Sequence, residues 1–186
     1  MPARNSAIAI GDRVYLRRLQ PRDASTFCAA TRASRHIHHP WTQPPTTPKM
    51  FATMLARSRH PACKTLLACR REDSALAGVF DLSQIFYGNM QSSYLGYYAL
   101  VPHAGQGYMG EGLELMLRYA FLMLKLHRVE SNIQPANRRS LALVRRAGFT
   151  REGYSRRYLK IRGRWRDHER WALLVEDWRA QRRGKR

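Results

Sequence analysis

The segment that runs from Val101 through Pro102, His103, Ala104, Gly105, Gln106, Gly107, Tyr108 and Met109 to Gly110 constrains this chain more than any other. Residues 92–101 (SSYLGYYALV) read as a strand. Beyond the loop, Leu113, Met116, Leu117, Ala120 and Leu124 recur at the spacing of one buried face, which predicts a helix over 108–125. A strand must therefore pass directly into a helix through a loop with glycine at 105, 107 and 110. Glycine permits positive φ and a close approach of backbone to ligand. The free N–H groups of the first helical turn, helped by the dipole, form an anion site that suits a pyrophosphate. Taken alone, the same loop is also compatible with a plain turn.

The kind of phosphate ligand can be narrowed. The GxxxxGK[ST] pattern of a P-loop is absent. Gly105, Gly107 and Gly110 do spell G-x-G-x-x-G, with Glu130 about twenty residues on, as a dinucleotide fold would require. Too little chain follows the loop, however, to complete a doubly wound domain.

Elsewhere the pattern alternates between strands and helices. Residues 13–19 read as a strand, and Pro21 and Asp23 open a helix expected to reach Ser34. The stretch 36–48, with prolines at 40, 44, 45 and 48, is expected to be an irregular loop, followed by a helix over 49–59. Strands are expected at 64–70, 75–85 and 128–134, and a helix from the N-cap Asn137 to Gly148. Residues 158–161 and 165–175 form a hairpin around Gly163, and the basic stretch 179–186 is expected to fray as a tail. This is a single α/β (α+β) domain.

Charge and cysteine content bear on partners and compartment. Lys and Arg number 33 against 13 Asp and Glu, a formal net charge of +20, which attracts polyanions such as RNA or a phosphate-rich co-substrate. Cys28, Cys63 and Cys69 lack CxxC spacing and read as free thiols of a reducing compartment, so the cytoplasm is expected. No apolar run of about eighteen residues predicts a membrane span, and residues 1–10 show no secretory pattern. His36, His38 and His39 have no carboxylate or cysteine at ligand spacing, and no metal is expected.

The glycine loop, its helix, HRVESNIQPANRRSLALVRRAGFTREGY and YLKIRGRWRDHERWALLVEDW together resemble the GNAT acetyltransferase superfamily. They are more closely similar to its RimJ branch of ribosomal-protein-alanine N-acetyltransferases, and His39-Pro40-Trp41 resembles the Pro-Trp element of that branch. The resemblance covers residues 11–178, taken as the domain, with 179–186 as a basic C-terminal extension. It implies a mixed central sheet splayed into a V that holds acetyl-CoA as co-substrate. It further implies that backbone groups of Ala99, Leu100 and Val101 meet the pantetheine arm. Ala104, Gly105, Gln106, Gly107, Tyr108, Met109 and Gly110 would wrap the pyrophosphate, and Asn137 and Ser140 would reach the pantetheine. Where the family loop begins with Gln or Arg, this chain has Ala104; Arg138, Arg139, Arg145 and Arg146 are expected to make up the missing charge.

Acetyl transfer to an amine needs a neutral amine, a stabilised oxyanion and a proton for the leaving thiolate. An α-amino group titrates at about 7.7–8.0 and a lysine at about 10.4, so an N-terminal acceptor asks less of a base. The related RimI branch carries a glutamate and a tyrosine where this chain has Asn132 and Val144, neither of which can move a proton. Glu130, on the strand face of Asn132, is the nearest carboxylate, and Ser140 is the candidate to assist the thiolate. Glu111 reads as a complement to the helix dipole. Trp41, Tyr98 and Asn132 are expected to contact the acceptor.

The resulting expectation is acetylation of a protein N-terminus, that of a ribosomal protein by resemblance, in a monomer or homodimer whose basic surface touches ribosome or RNA. Two alternatives stay open: an acetyltransferase for a small amine such as an antibiotic or polyamine, and an RNA-binding module without catalysis.

Overall fold

Residues 64–70 turn Leu66 and Ala68 to one face and Leu67 and Cys69 to the other, none more than 1% exposed. A sheet that contains them needs cover on both sides. The computed structural model, which describes residues 7–184, supplies both layers. In chain order, β1 (Ala7–Ile10) and β2 (Val14–Arg18) precede α1 (Ala24–Ala33), the single turn α2 (Arg35–His38) and α3 (Pro48–Ser58). Next come β3 (Lys64–Arg70), β4 (Leu76–Phe86), β5 (Ser92–Ala99) and α4 (Tyr108–Arg118). The chain closes with β6 (Arg128–Ile133), α5 (Arg138–Arg146), β7 (Thr150–Ile161), β8 (Arg164–Leu174) and α6 (Val175–Arg183).

The eight strands are ordered β1-β2-β3-β4-β5-β6-β8-β7. Only β5 and β6 run parallel; every other neighbouring pair is antiparallel. Phe27 of α1 and Phe51 of α3 pack with Tyr15, Leu67 and Val79 on one face. On the other, Leu113, Met116 and Leu117 of α4 pack with Leu16, Leu66 and Phe80, and this core continues to Leu141, Trp171 and Trp178.

Three stretches differ from the sequence expectation. His36 and His38 lie in the helical turn α2 rather than in an irregular loop, because the prolines begin only at Pro40. Strand β7 starts at Thr150, well before 158, and is bulged between Ser155 and Leu159 with Arg157 at φ +48°; the bulge breaks the alternation that would have revealed it. Residues 179–183 do not fray but belong to α6, with Lys185 and Arg186 outside the described residues. Trp178 holds that helix down, 4% exposed and 5.4 Å from the ring of Phe121. Glu176 and Asp177 in its first turn, with Arg182 and Arg183 in its last, complement the dipole.

Candidate active site

The site begins where two parallel strands part. Ser92, Ser93 and Tyr94 pair with Arg128, Val129 and Glu130, and there the β5–β6 ladder stops. Beyond it β5 stays with β4 as far as Ala99, while β6 follows β8 as far as Ile133. The Ser131 hydroxyl donates to the Leu95 carbonyl at 3.1 Å, a side-chain bond at the apex of the opening V. Because Leu100 N–H bonds Ala77 C=O, alternation turns the backbone groups of Tyr97 and Ala99 away from β4 and into the gap. Of the groups expected to meet the pantetheine, Leu100 N–H is tied to β4, Val101 N–H donates to the Ser34 hydroxyl at 2.9 Å, and the Ala99 carbonyl accepts from His38. The Ala99 N–H and the backbone of Tyr97 face the gap.

At the open end of β5 lies the glycine loop. Gly105 and Gly107 adopt φ of +82° and +87°, and Gly107 is the N-cap of α4. Among the described residues, the N–H groups from Ala104 to Met109 have no hydrogen-bond partner in the protein. A run of free amides at the start of an eleven-residue helix fits a pyrophosphate. Two arginines that sequence reading did not single out stand beside it, Arg13 paired with Glu111 and Arg70 with Glu72 and Asp73. Arg13 lies 4.8 Å from the centre of the Tyr108 ring and donates to Gln106 C=O at 3.2 Å, and Arg70 lies 5.6 Å from the same ring. Glu111 accepts the N–H groups of Arg13 and Val14 at 2.7 and 3.1 Å, so it locks β2 to α4.

The arginines expected in that role are placed otherwise. Arg138 and Arg139 sit exposed in the first turn of α5, and Arg145 stacks 5.1 Å over Trp171. Arg146 lines a separate hollow with Arg182 and Arg183, between α4, α5 and α6.

A groove of about 560 Å³ opens from the V. Trp41, Tyr98, Asn132, Asn137 and Ser140 all line it, so the structure brings together the acceptor residues and part of the co-substrate set. Asn137 caps α5 by accepting Ser140 N–H at 3.2 Å. Asn132 Oδ1 is buried with no partner, an acceptor left for a ligand. Glu130 is not among the lining residues: its carboxylate takes the Arg128 guanidinium at 2.9 Å, and Arg128 also holds Glu152. It shares the strand face of Asn132 but is engaged elsewhere.

Four further residues matter here. The Tyr97 hydroxyl donates to Ser140 C=O at 3.2 Å, which ties β5 to α5 across the gap, and burial raises its pKa. His38 Nε2 donates to Ala99 C=O at 2.8 Å, and burial, the main cause, lowers the pKa of its ring. Among the described residues Asp81 is the one carboxylate lining the groove, and it is held by Arg57 at 2.7 Å and Thr65 at 2.5 Å. His168, 3% exposed, lines the groove from β8. The sequence marks His38 only as one of a histidine cluster, and α2 brings it in, while Tyr97, Asp81 and His168 are brought in by sheet order, which nothing local in the sequence marks. Among the described residues, no group of three or more His, Cys, Asp or Glu side chains is placed to hold a metal. No helix among them is long and apolar enough to cross a membrane.

A strand thus parts from its parallel neighbour beside a run of free amides and a groove of about 560 Å³. A family model for the acetyltransferase (GNAT) domain matches residues 13–150, and the chain belongs to that family. The Escherichia coli [ribosomal protein uS5]-alanine N-acetyltransferase is 38% identical over 107 residues, 58% of this chain and 55% of that protein. Bacillus subtilis YjcK, named as a probable N-acetyltransferase, is 41% identical over 105 residues, 56% of this chain and 58% of that one. The chain thus spans a little over half the length of the curated relatives it matches. Among solved structures, Mycobacterium smegmatis RimJ in complex with CoA-disulfide superposes with a TM-score of 0.80 at 27% identity, over 88% of this chain and 82% of that one. Vibrio cholerae spermidine N-acetyltransferase in complex with CoA and spermine shares the fold, with a TM-score of 0.77 at 21% identity over 90% and 99% of the two chains.

Proposed function

We propose that this chain transfers an acetyl group from acetyl-CoA to the α-amino group of a protein N-terminus, with a ribosomal protein as the acceptor. The observation that carries the reading is the charge of the groove: Asp81 is its one acidic lining residue, and Arg57 already pairs with it. A polyamine carries several positive charges and calls for several carboxylates, whereas a peptide α-amine carries one and is readily neutral. Trp41, Met50, Met54, Leu159 and Ile161 give the groove apolar walls suited to the first side chains of a peptide.

The residues that would hold the co-substrate are the amides of 104–109 with Arg13 and Arg70 for the phosphates, and the backbone of Tyr97 and Ala99 for the pantetheine. Asn137 and Ser140 flank the same opening. When bound, acetyl-CoA supplies an activated acyl group as a thioester. Asn132 Oδ1, buried without a partner among the described residues, would accept a hydrogen bond from the amine, and Ser140, which lines the same groove, would assist the thiolate. Glu130, paired with Arg128 and absent from the groove lining, takes no part in this reading. The free thiols Cys28, Cys63 and Cys69 suit a cytoplasmic setting.

Intact-mass measurement on peptides incubated with acetyl-CoA tests the activity. Free Ala- and Ser-starting peptides are expected to gain an acetyl group, while an N-blocked peptide containing lysine and free spermidine do not. Acetylation of spermidine in preference to the peptides would replace this reading with the small-amine one. Steep salt dependence of RNA binding with no turnover of any amine would favour the binding module.

We propose that the β7–β8 hairpin is the surface that would meet the ribosome. Arg156, Arg157, Lys160, Arg162 and Arg164 are exposed there, and none forms a salt bridge among the described residues. Trp165 stands 60% exposed beside them, a stacking surface for a base. Arg162→Glu with Arg164→Glu is expected to weaken ribosome co-sedimentation by about tenfold near 0.1 M salt, because each removed phosphate contact also removes counterion release. Turnover of a free peptide should stay unchanged. Equal co-sedimentation would exclude the hairpin as the contact.

A further inference from the structure

We propose that His168 is the general base of this site, taking the amine proton at Nε2 in the region where Asn132 leaves the chain without a carboxylate. The inference rests on the acetyl-transfer reading above and concerns only the route of the proton.

Sheet register carries the first part of the argument. Asn132 lies opposite Arg170 and Ile133 opposite Glu169. One step further along this antiparallel pair, His168 comes beside Gln134, on the sheet face of Asn132 and Arg170. His168 is thus the diagonal cross-strand neighbour of Asn132. Both line the groove, together with Asn137, Ser140 and Tyr97.

The tautomer carries the second part. His168 Nδ1 lies 3.0 Å from the Arg166 carbonyl oxygen. A carbonyl only accepts, so Nδ1 holds the proton and Nε2 carries the lone pair. Among the described residues Nε2 has no protein partner; the other ring contact is edge-on with Tyr158 at 6.1 Å. A neutral imidazole with its basic nitrogen free and its ring orientation held by a backbone bond is prepared to accept a proton.

The surroundings keep the ring neutral. Desolvation, the largest influence, lowers its pKa from the ordinary value, while the Arg166 carbonyl and Asp167 act weakly the other way. The Asp167 carboxylate is occupied by the Tyr154 hydroxyl and the Arg157 N–H. Arg170 shares the face of His168, and Arg57 and Asp81 pair with each other across the groove. In the reaction the amine nitrogen bonds to the acyl carbon and the carbon–sulfur bond breaks. The amine gives up one proton, to His168 Nε2, and the departing thiolate takes one up, so no proton is gained or lost overall.

The test is kcat against pH at saturating substrates for the wild type and His168→Gln, with acetyl-CoA affinity measured separately. Wild-type kcat is expected to fall as pH drops through a midpoint below the ordinary histidine value of about 6.5, where the base becomes protonated. His168→Gln is expected to lose about 100-fold in kcat at neutral pH, to lack that acid limb, and to bind acetyl-CoA as the wild type does. In His168→Ala, added imidazole should restore part of the lost rate, which a purely structural role would not allow. A His168→Gln enzyme with wild-type kcat, or one that keeps the acid limb, overturns the assignment. A wild type that acetylates no amine overturns both this inference and the reading beneath it.

Discussion

Gly107→Val is expected to weaken acetyl-CoA binding by about 100-fold or more, an effect of about 2.8 kcal/mol at tenfold per 1.4 kcal/mol. Two independent costs act at this position. The residue holds φ +87°, which a β-branched side chain does not adopt without strain of about 1–3 kcal/mol. Its first side-chain atom would also lie 2.9 Å from Arg13 Nη2, pushing away a guanidinium that faces the loop. Relaxation of either kind turns the amides of residues 104–109 out of register with a pyrophosphate. Calorimetric titration with CoA reads the loss directly. Gly163→Ala is the matched control: it carries similar strain at φ +79° in the β7–β8 turn and should leave CoA affinity unchanged. Equal affinity for Gly107→Val and wild type would remove the loop from the binding site.

Asp23→Ala is expected to cost about 3–5 kcal/mol of stability, because it strands a buried cation. The Arg17 side chain is 9% exposed, and it donates through Nη1 and Nη2 to the two Asp23 oxygens at 2.7 and 2.8 Å. Asp23 also accepts Gln20 N–H at 2.8 Å and so fixes the chain's entry into α1. Burial works to lower the Arg17 pKa and the bonds to Asp23 more than offset it; without Asp23 the guanidinium still cannot give up its proton, so a lone Arg17 stays charged and poorly solvated. Urea denaturation of Asp23→Ala should show the loss at unchanged m-value. Arg17→Met combined with Asp23→Leu should recover most of it, since an apolar pair of similar volume avoids the burial of charge. A single variant within about 1 kcal/mol of wild type would mean that water reaches Arg17.

Much of the site was legible along the chain wherever one segment carried the whole signal. The free-amide loop follows from glycines between a strand and an amphipathic helix. Asn137 follows from cap preference, and its side chain does accept Ser140 N–H. Trp41, Tyr98, Asn132 and Ser140, each singled out along the chain, line one groove. That Leu100 N–H bonds β4 and Val101 N–H bonds Ser34 was not legible in the sequence, because it depends on the partner strand and on α1. Helix α6 was overlooked because its charged composition masked the buried Trp178. Arginines near α5 were expected to serve the phosphates, but Arg13 and Arg70 stand at Tyr108 instead.

The division has a physical origin. Sequence by itself determined the α/β alternation, the strand-to-helix loop and the family, because glycine torsions, helix caps and the periods of helix and strand are properties of contiguous residues. Only the tertiary structure decided that β2 and β3 deliver Arg13 and Arg70 to the start of α4, that Arg128 draws Glu130 aside, and that β8 sets His168 diagonal to Asn132. Those placements follow from strand order and register, which the burial of both sheet faces selects among residues up to a hundred positions apart.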